Sequence, residues 1–193
     1  MQQHGSDAVR EKIADRLFLT MKLRSSDVVV DVGSGDGYYS SRFAEHCKKV
    51  VALDAACEVF DSQCYSRANI ETVCEDACVW VSSNISRNIN SSRWDDITHV
   101  FFANSFHDLL CQNEVLSVLA QELSVGAHLH MVEFKPETPF GPPKSLRFSR
   151  QQLKTLIEQY GFEEKAYHDL DTHYYVSFDK LKEPLNKSFN TKQ

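Results

Sequence analysis

No stretch of the chain approaches the roughly 18 consecutive apolar residues of a membrane-spanning helix. The first ten residues hold no apolar core of the signal-peptide kind. Membrane insertion and secretion are therefore not expected, and a cytoplasmic location is. There is no C-x-x-C pair and no cysteine–histidine spacing suited to zinc, so no metal site is expected. Basic charge is not in excess. Lys and Arg number 21 against 27 Asp and Glu, and a net charge of −6 gives no global field for nucleic acid or an anionic membrane. Glycine is scarce, at 7 in 193 residues, which makes the crowding of Gly33, Gly35 and Gly37 informative.

What is present is ordinary for one globular domain, with 42% hydrophobic and 25% charged residues. Six cysteines (Cys47, Cys57, Cys64, Cys74, Cys78, Cys111) are scattered along it. Reduced, partly buried thiols are the expectation. Asn84-Ile85-Ser86 and Asn90-Ser91-Ser92 fit the glycosylation pattern, and without a secretory route they are expected to stay bare.

The chain is organised around Val28-Val29-Val30-Asp31-Val32-Gly33-Ser34-Gly35-Asp36-Gly37-Tyr38-Tyr39. The valines read as a buried parallel strand. Glycines at every second position permit positive φ and close approach of a ligand to the backbone. A helix over about 38–47 follows. Strand, glycine turn and helix together make a nucleotide-type site at the carboxyl end of a sheet strand. A dinucleotide fingerprint, G-x-G-x-x-G, would need a glycine where Tyr38 stands.

Before this unit, about Ser6 to Lys22 reads as an amphipathic helix, capped at Ser6 or Asp7. It serves either as a lid over a cofactor cleft or as a helix packed on the sheet edge. After it, Lys49 to Asp54 reads as a second strand, with Asp54 placed to accept ribose hydroxyls. A helix is expected from Glu58 to about Arg67, and a third strand from Ile70 ends in Glu75 and Asp76. Trp80 to Trp94, rich in Ser and Asn, reads as a surface loop or ragged helix. Asp95 to Asn104 is the fourth strand, buried from Val100 to Ala103, followed by the polar cluster Asn104-Ser105-Phe106-His107-Asp108 where an acceptor should sit. A helix over about 113–123 leads to a fifth strand, Ala127 to Phe134. Lys135 to Arg147 holds Pro136, Pro139, Pro142 and Pro143 and reads as a stiffened loop. Ser149 caps a helix to Gln159, and Phe162–Leu170 with His173–Leu181 form an antiparallel hairpin. Residues 1–24 are read as the N-terminal helix, 25–182 as the catalytic-type domain, and 183–193 as a polar disordered tail.

The G-x-G-x-G turn after Asp31, acids at three successive strand tips and the terminal hairpin resemble a class I S-adenosylmethionine-dependent methyltransferase over roughly 27–181. More narrowly, Ala103-Asn104-Ser105-Phe106-His107-Asp108, Glu133-Phe134-Lys135 and Gly141-Pro142-Pro143 look like a group of small stand-alone methyltransferases distantly similar to the quinone-biosynthesis C-methyltransferases. The resemblance implies an α/β, Rossmann-like, doubly wound sheet of seven strands in order 3-2-1-4-5-7-6, the last antiparallel. It implies S-adenosyl-L-methionine as cofactor, held by Asp31, Gly33, Gly35, Gly37, Asp54 and Asn104, with Asp76 meeting the adenine amino group.

Methyl transfer is mainly a matter of orientation. A base is needed only for an acceptor with a tightly held proton. His107 is the candidate, oriented by Asp108, against a purely structural role capping the next helix or packing under the proline loop. His173 is the second choice. The expected acceptor is a small molecule. The alternatives are methylation of a protein or RNA, disfavoured by the lack of a basic aromatic patch, and a non-catalytic cofactor-binding scaffold. Neither the acceptor nor the oligomeric state is fixed by the sequence.

Overall fold

The valines of β1 (Val28–Val32) alternate between two cores, and that alternation sets the layers. The computed structural model describes residues 3–86 and 92–181. Val28, Val30 and Val32 point to one face and Val29 to the other. All five residues of β1 are buried, as a strand covered on both faces must be.

Seven strands form one sheet in the order β3-β2-β1-β4-β5-β7-β6. Their ranges are β2 Lys49–Asp54, β3 Ile70–Cys74, β4 His99–Ala103, β5 His128–Phe134, β6 Phe162–Asp169 and β7 His173–Lys180. β3, β2, β1, β4 and β5 are parallel. β7 is antiparallel to both neighbours. This is the expected topology.

One face is covered by α3 (Ala77–Ser86), α5 (Gln112–Glu122) and α6 (Arg150–Glu158). Ser149 caps α6 in a reciprocal capping box with Gln152. The other face is covered by α1 (Gln3–Met21) and α2 (Tyr38–Phe43). Ile13, Leu17 and Met21 of α1 pack with Val29, Phe101, Val132 and Tyr175, so the helix lies on the sheet face over its central strands. Each such apolar side chain contributes roughly 1.5–3 kcal/mol when buried. A short α4 (Ser92–Asp95) completes the set, and Trp94 beside it meets Trp80 with ring centroids 5.1 Å apart. The Ser/Asn-rich stretch is helical as far as Ser86, and 87–91 lie outside the described residues. So do the 183–193 tail and the side chains of Ser6, Asp7, Asn84 and Asn90.

Two expectations fail in the β2–β3 connection. The helix read over 58–67 is replaced by two 3₁₀ turns, Cys57–Asp61 and Gln63–Tyr65. Ser62 separates them, its hydroxyl accepting from the Cys64 amide. The cysteines are also not all reduced: Cys57 bonds to Cys74 and Cys78 to Cys111. Both pairs are distant in sequence; β2–β3 pairing brings Cys57 and Cys74 together, and packing of α3 beside α5 brings Cys78 and Cys111 together. Cys74 is in register with Asp54, three residues before Cys57. Cys47 and Cys64 remain free thiols.

At the amino ends of the strands a hydrogen-bonded row crosses the sheet. His99 Nδ1 lies 2.9 Å from His130 Nε2, whose Nδ1 lies 2.8 Å from the Tyr175 hydroxyl. His99 Nε2 faces Asp27 Oδ2 at 3.5 Å. Burial holds both imidazoles neutral, His99 pushed down to about 4 and His130 well below its ordinary range.

Candidate functional site

The glycine turn leaves β1 at its carboxyl end with Gly33, Gly35 and Gly37 all at positive φ. At Gly33 (φ 72°) a Cβ would overlap Ser105 of the β4 tip. At Gly37 (φ 78°) it would come within 2.8 Å of Cys64 and Tyr65. Both glycines are required by close backbone packing as well as by conformation. Gly35 differs, since a Cβ there meets nothing within 4 Å.

The turn's amides are already used. Gly33 and Ser34 donate to the Leu53 carbonyl at 2.8 and 3.1 Å, and Gly37 donates to the Ser34 carbonyl at 3.1 Å. Gly35 donates to Asp54 Oδ2 at 2.8 Å. The Tyr65 hydroxyl donates to the Gly35 carbonyl at 2.7 Å from the 3₁₀ segment below. The β2 tip thus takes the Gly33, Ser34 and Gly35 donors, and the turn itself takes that of Gly37.

Asp31 is the opposite case. Its carboxylate is 1% exposed, and its hydrogen-bond donor is the Ser40 hydroxyl at 2.6 Å. Burial, with Asp54 and Asp36 nearby, lifts its pKa to about 7 against the pull of Ser40.

A cavity of about 930 Å³ opens over these residues, at the upper end of the size of ligand pockets, about 300–1,000 Å³. Its inner part is lined by Asp31, Gly33, Ser34, Gly35 and Asn104. Its outer part is lined by Phe134, Phe140, Thr172 and His173, with Val9, Arg10 and Ile13 of α1 along one side. Arg10 grips Asp36 with two bonds of 2.9 and 2.6 Å and lies over the Tyr38 ring, 4.4 Å from its centroid. Arg42 covers the same ring at 3.7 Å. Tyr38 thus lies half-buried, its ring held between two guanidiniums.

Asn104 stands at the β4 tip with φ 55°. Its Nδ2 lies 3.3 Å from His173 Nε2, and its Oδ1 is buried with no hydrogen-bond partner among the described residues. His173 Nδ1 lies 2.8 Å from the Thr172 hydroxyl. Burial drops the His173 pKa to about 4, so the imidazole is neutral near pH 7.

The other predicted residues fall differently. Asp54 does not line the cavity; its two oxygens accept from the Gly35 and Ala56 amides at 2.8 and 2.9 Å. Asp76 caps α3, accepting from the Cys78 and Val79 amides at 2.8 and 3.3 Å. His107 lies behind the wall and outside the cavity lining. Its orienting partner is Glu133 and not Asp108. Nδ1 meets Glu133 Oε2 at 2.6 Å, both groups buried, whereas Asp108 is largely exposed and 3.5 Å from Nε2. Burial opposes the imidazolium, but the Glu133 carboxylate outweighs it and raises the His107 pKa. Burial also lifts Glu133. An acid inside the apolar run His-Leu-His-Met-Val-Glu-Phe signals a buried partner, and that signal pointed to Glu133.

The proline loop is held by Arg147, which is 9% exposed. Its guanidinium donates to the carbonyls of Pro142, Lys135, Pro136, Thr138 and Phe140. Gly141 (φ 101°) lies against the Phe134 ring, where a Cβ would sit 2.7 Å away.

Neither a protein-family model nor a curated protein sequence matches the chain. Solved structures do. An S-adenosylmethionine-dependent methyltransferase from Aquifex aeolicus superposes with a TM-score of 0.71 at 18% identity, covering 87% of this chain and 89% of the other. N-methyltransferase NodS from Bradyrhizobium japonicum, in complex with S-adenosylhomocysteine, gives 0.66 at 12%, covering 89% and 86%. The 1,6-didemethyltoxoflavin N1-methyltransferase of Burkholderia thailandensis gives 0.66 at 15%, covering 94% and 82%. These matches do not single out the quinone-biosynthesis enzymes. Strand order, the antiparallel seventh strand and the superpositions agree that this chain has the fold of the class I S-adenosylmethionine-dependent methyltransferases.

Proposed function

We propose that the chain is an S-adenosyl-L-methionine-dependent methyltransferase acting on a small molecule. One observation carries this. The glycine turn spends its amide donors on the protein itself and presents a buried, unneutralised carboxylate, Asp31. A pyrophosphate needs the donors; a cationic ligand needs the acceptor. Asp31 thus fits the ammonium end of the cofactor, with the glycines as the floor beside it. Asp54 keeps lone pairs for the ribose, and Asp76 stands at the adenine side. Bound there, the cofactor supplies a methyl group activated by its sulfonium charge.

The chain's own task is to hold the acceptor in line and keep water away. The side of α1 that lines the cavity serves as its cover. A cavity under a helix suits a small molecule better than RNA or a protein. One matched structure holds 1,6-didemethyltoxoflavin and S-adenosylhomocysteine. No helix among the described residues is long and apolar enough to cross a membrane.

Calorimetry with S-adenosylmethionine, S-adenosylhomocysteine and NAD tests the reading. The first two should bind and NAD should not. Asp54→Ala should weaken binding at least tenfold, about 1.4 kcal/mol. Binding of NAD alone would reject it.

A further inference from the structure

We propose that the outer half of the cavity binds a neutral, planar aromatic molecule carrying one hydrogen-bond donor. Calling that molecule the methyl acceptor rests on the cofactor reading above; the chemistry of the wall does not.

The wall carries three rings, with Phe134 between the other two. The His173 imidazole lies against the Phe134 ring, centroids 4.1 Å apart. Phe140 meets Phe134 edge-on at 6.4 Å and 89°. Phe140 is 56% exposed, although it sits on a loop pinned by a buried arginine and carries nothing on its free side. A large apolar ring held rigidly at a cavity rim loses little entropy when a flat ligand covers it.

The wall is also electrically neutral. Of the charged residues lining the cavity, Arg10 and Asp36 answer each other. Asp31 lies at the glycine end. His173, uncharged near neutral pH, has both ring nitrogens engaged, by Asn104 and Thr172. A ligand with a net charge would find no counter-ion in the outer half, and desolvating it there would be costly.

One polar contact is left open. Asn104 Oδ1 is buried without a partner among the described residues, and an orphan acceptor costs about 1–3 kcal/mol unless a ligand satisfies it. The left-handed backbone of Asn104 holds the amide at this place. A ligand N–H or O–H is the group that completes it.

The experiment is calorimetric titration of the full chain, saturated with S-adenosylhomocysteine, with four probes. 4-Hydroxyquinoline has the rings and the donor, naphthalene the rings alone, cyclohexanol the donor alone, and 4-hydroxyquinoline-2-carboxylate adds a charge. 4-Hydroxyquinoline should bind at least tenfold more tightly than each of the others. Phe140→Ala, at an exposed position, should weaken it at least fivefold. Asn104→Gly, which keeps the left-handed backbone, should bring it to the level of naphthalene. Equal binding of cyclohexanol, tighter binding of the carboxylate, or no binding of either neutral aromatic probe would overturn the proposal. Repeating the titration without S-adenosylhomocysteine separates the two readings. A chain that takes 4-hydroxyquinoline but not S-adenosylhomocysteine keeps the aromatic site and loses the cofactor.

Discussion

Asp27 and Asp31 lie at opposite ends of the same strand, and both are 1% exposed. Their surroundings differ completely. Burial works against the charge of Asp27, but the Arg24 amide at 2.7 Å, the Arg24 guanidinium and His99 outweigh it and leave the carboxyl below its usual range. Burial works against Asp31 too, and its hydrogen bonds from Ser40 do not compensate. At the amino end of the sheet the polar groups are matched to one another. At the carboxyl end an acid and an amide oxygen are left wanting. Equal burial with unequal satisfaction separates a structural end from a ligand-binding end.

The comparison breaks most sharply at Asp31. Asp31→Asn should reduce S-adenosylmethionine affinity at least a hundredfold, about 2.7 kcal/mol by calorimetry, without lowering the stability of the unliganded chain. Its pH signature has a definite sign. A carboxyl whose folded pKa is about 7, against an ordinary value of 3.8, favours folding most in acid. That stability is lost as pH rises from about 4 through 7, at about 1.4 kcal/mol per unit. The neutral imidazoles His99 and His173, both near 4, pull the other way: their contribution is lost as pH falls from 6.5 through 4. The two trends share a window, so the difference between variant and wild-type denaturation curves isolates Asp31. That difference should grow in favour of Asp31→Asn towards pH 7 and then level off. A gap that stays flat with pH would mean that the buried acid is already matched.

Asp27→Ala is the converse change. It strips partners from the Arg24 amide and His99, and chemical denaturation should show a loss of about 2–4 kcal/mol with cofactor affinity unchanged. A smaller effect sharpens the picture between the two ends. The Cys57–Cys74 bond closes the segment that carries Tyr65 beneath the glycine turn. Cys57→Ser with Cys74→Ser should cost about 2–3 kcal/mol of stability. Tyr65→Phe, which removes the hydroxyl that holds the Gly35 carbonyl, should weaken the cofactor about threefold to tenfold, roughly 1 kcal/mol.

Local patterning made most of the sheet legible. Val28–Val32, Lys49–Asp54 and His99–Ala103 announce themselves by their apolar, β-branched and aromatic content, and Ser149 announces its helix as a cap. The strand order came with the resemblance carried by Gly33, Gly35 and Gly37. What stayed hidden depends on meetings across the sheet. Cys57 and Cys74 are joined because β2 and β3 run in register. His107 takes Glu133 because β5 lies beside the β4 tip, and its sequence neighbour Asp108 points to solvent. The amides of Gly33, Ser34 and Gly35 are claimed by the Leu53 carbonyl and Asp54, which belong to another strand. His173 reaches the cavity only through the hairpin's return, which put it beside Asn104.

Arg147 answers five backbone carbonyls with one guanidinium. The proline-rich segment has thereby given up the freedom that surface loops of its length ordinarily keep. Adaptation toward a new ligand would act on what hangs from this arch, Phe140 first, and leave its path alone. A library randomised at side chains along the segment should retain folded members, whereas one that varies its length would have to dismantle the arch before it reshaped the cavity.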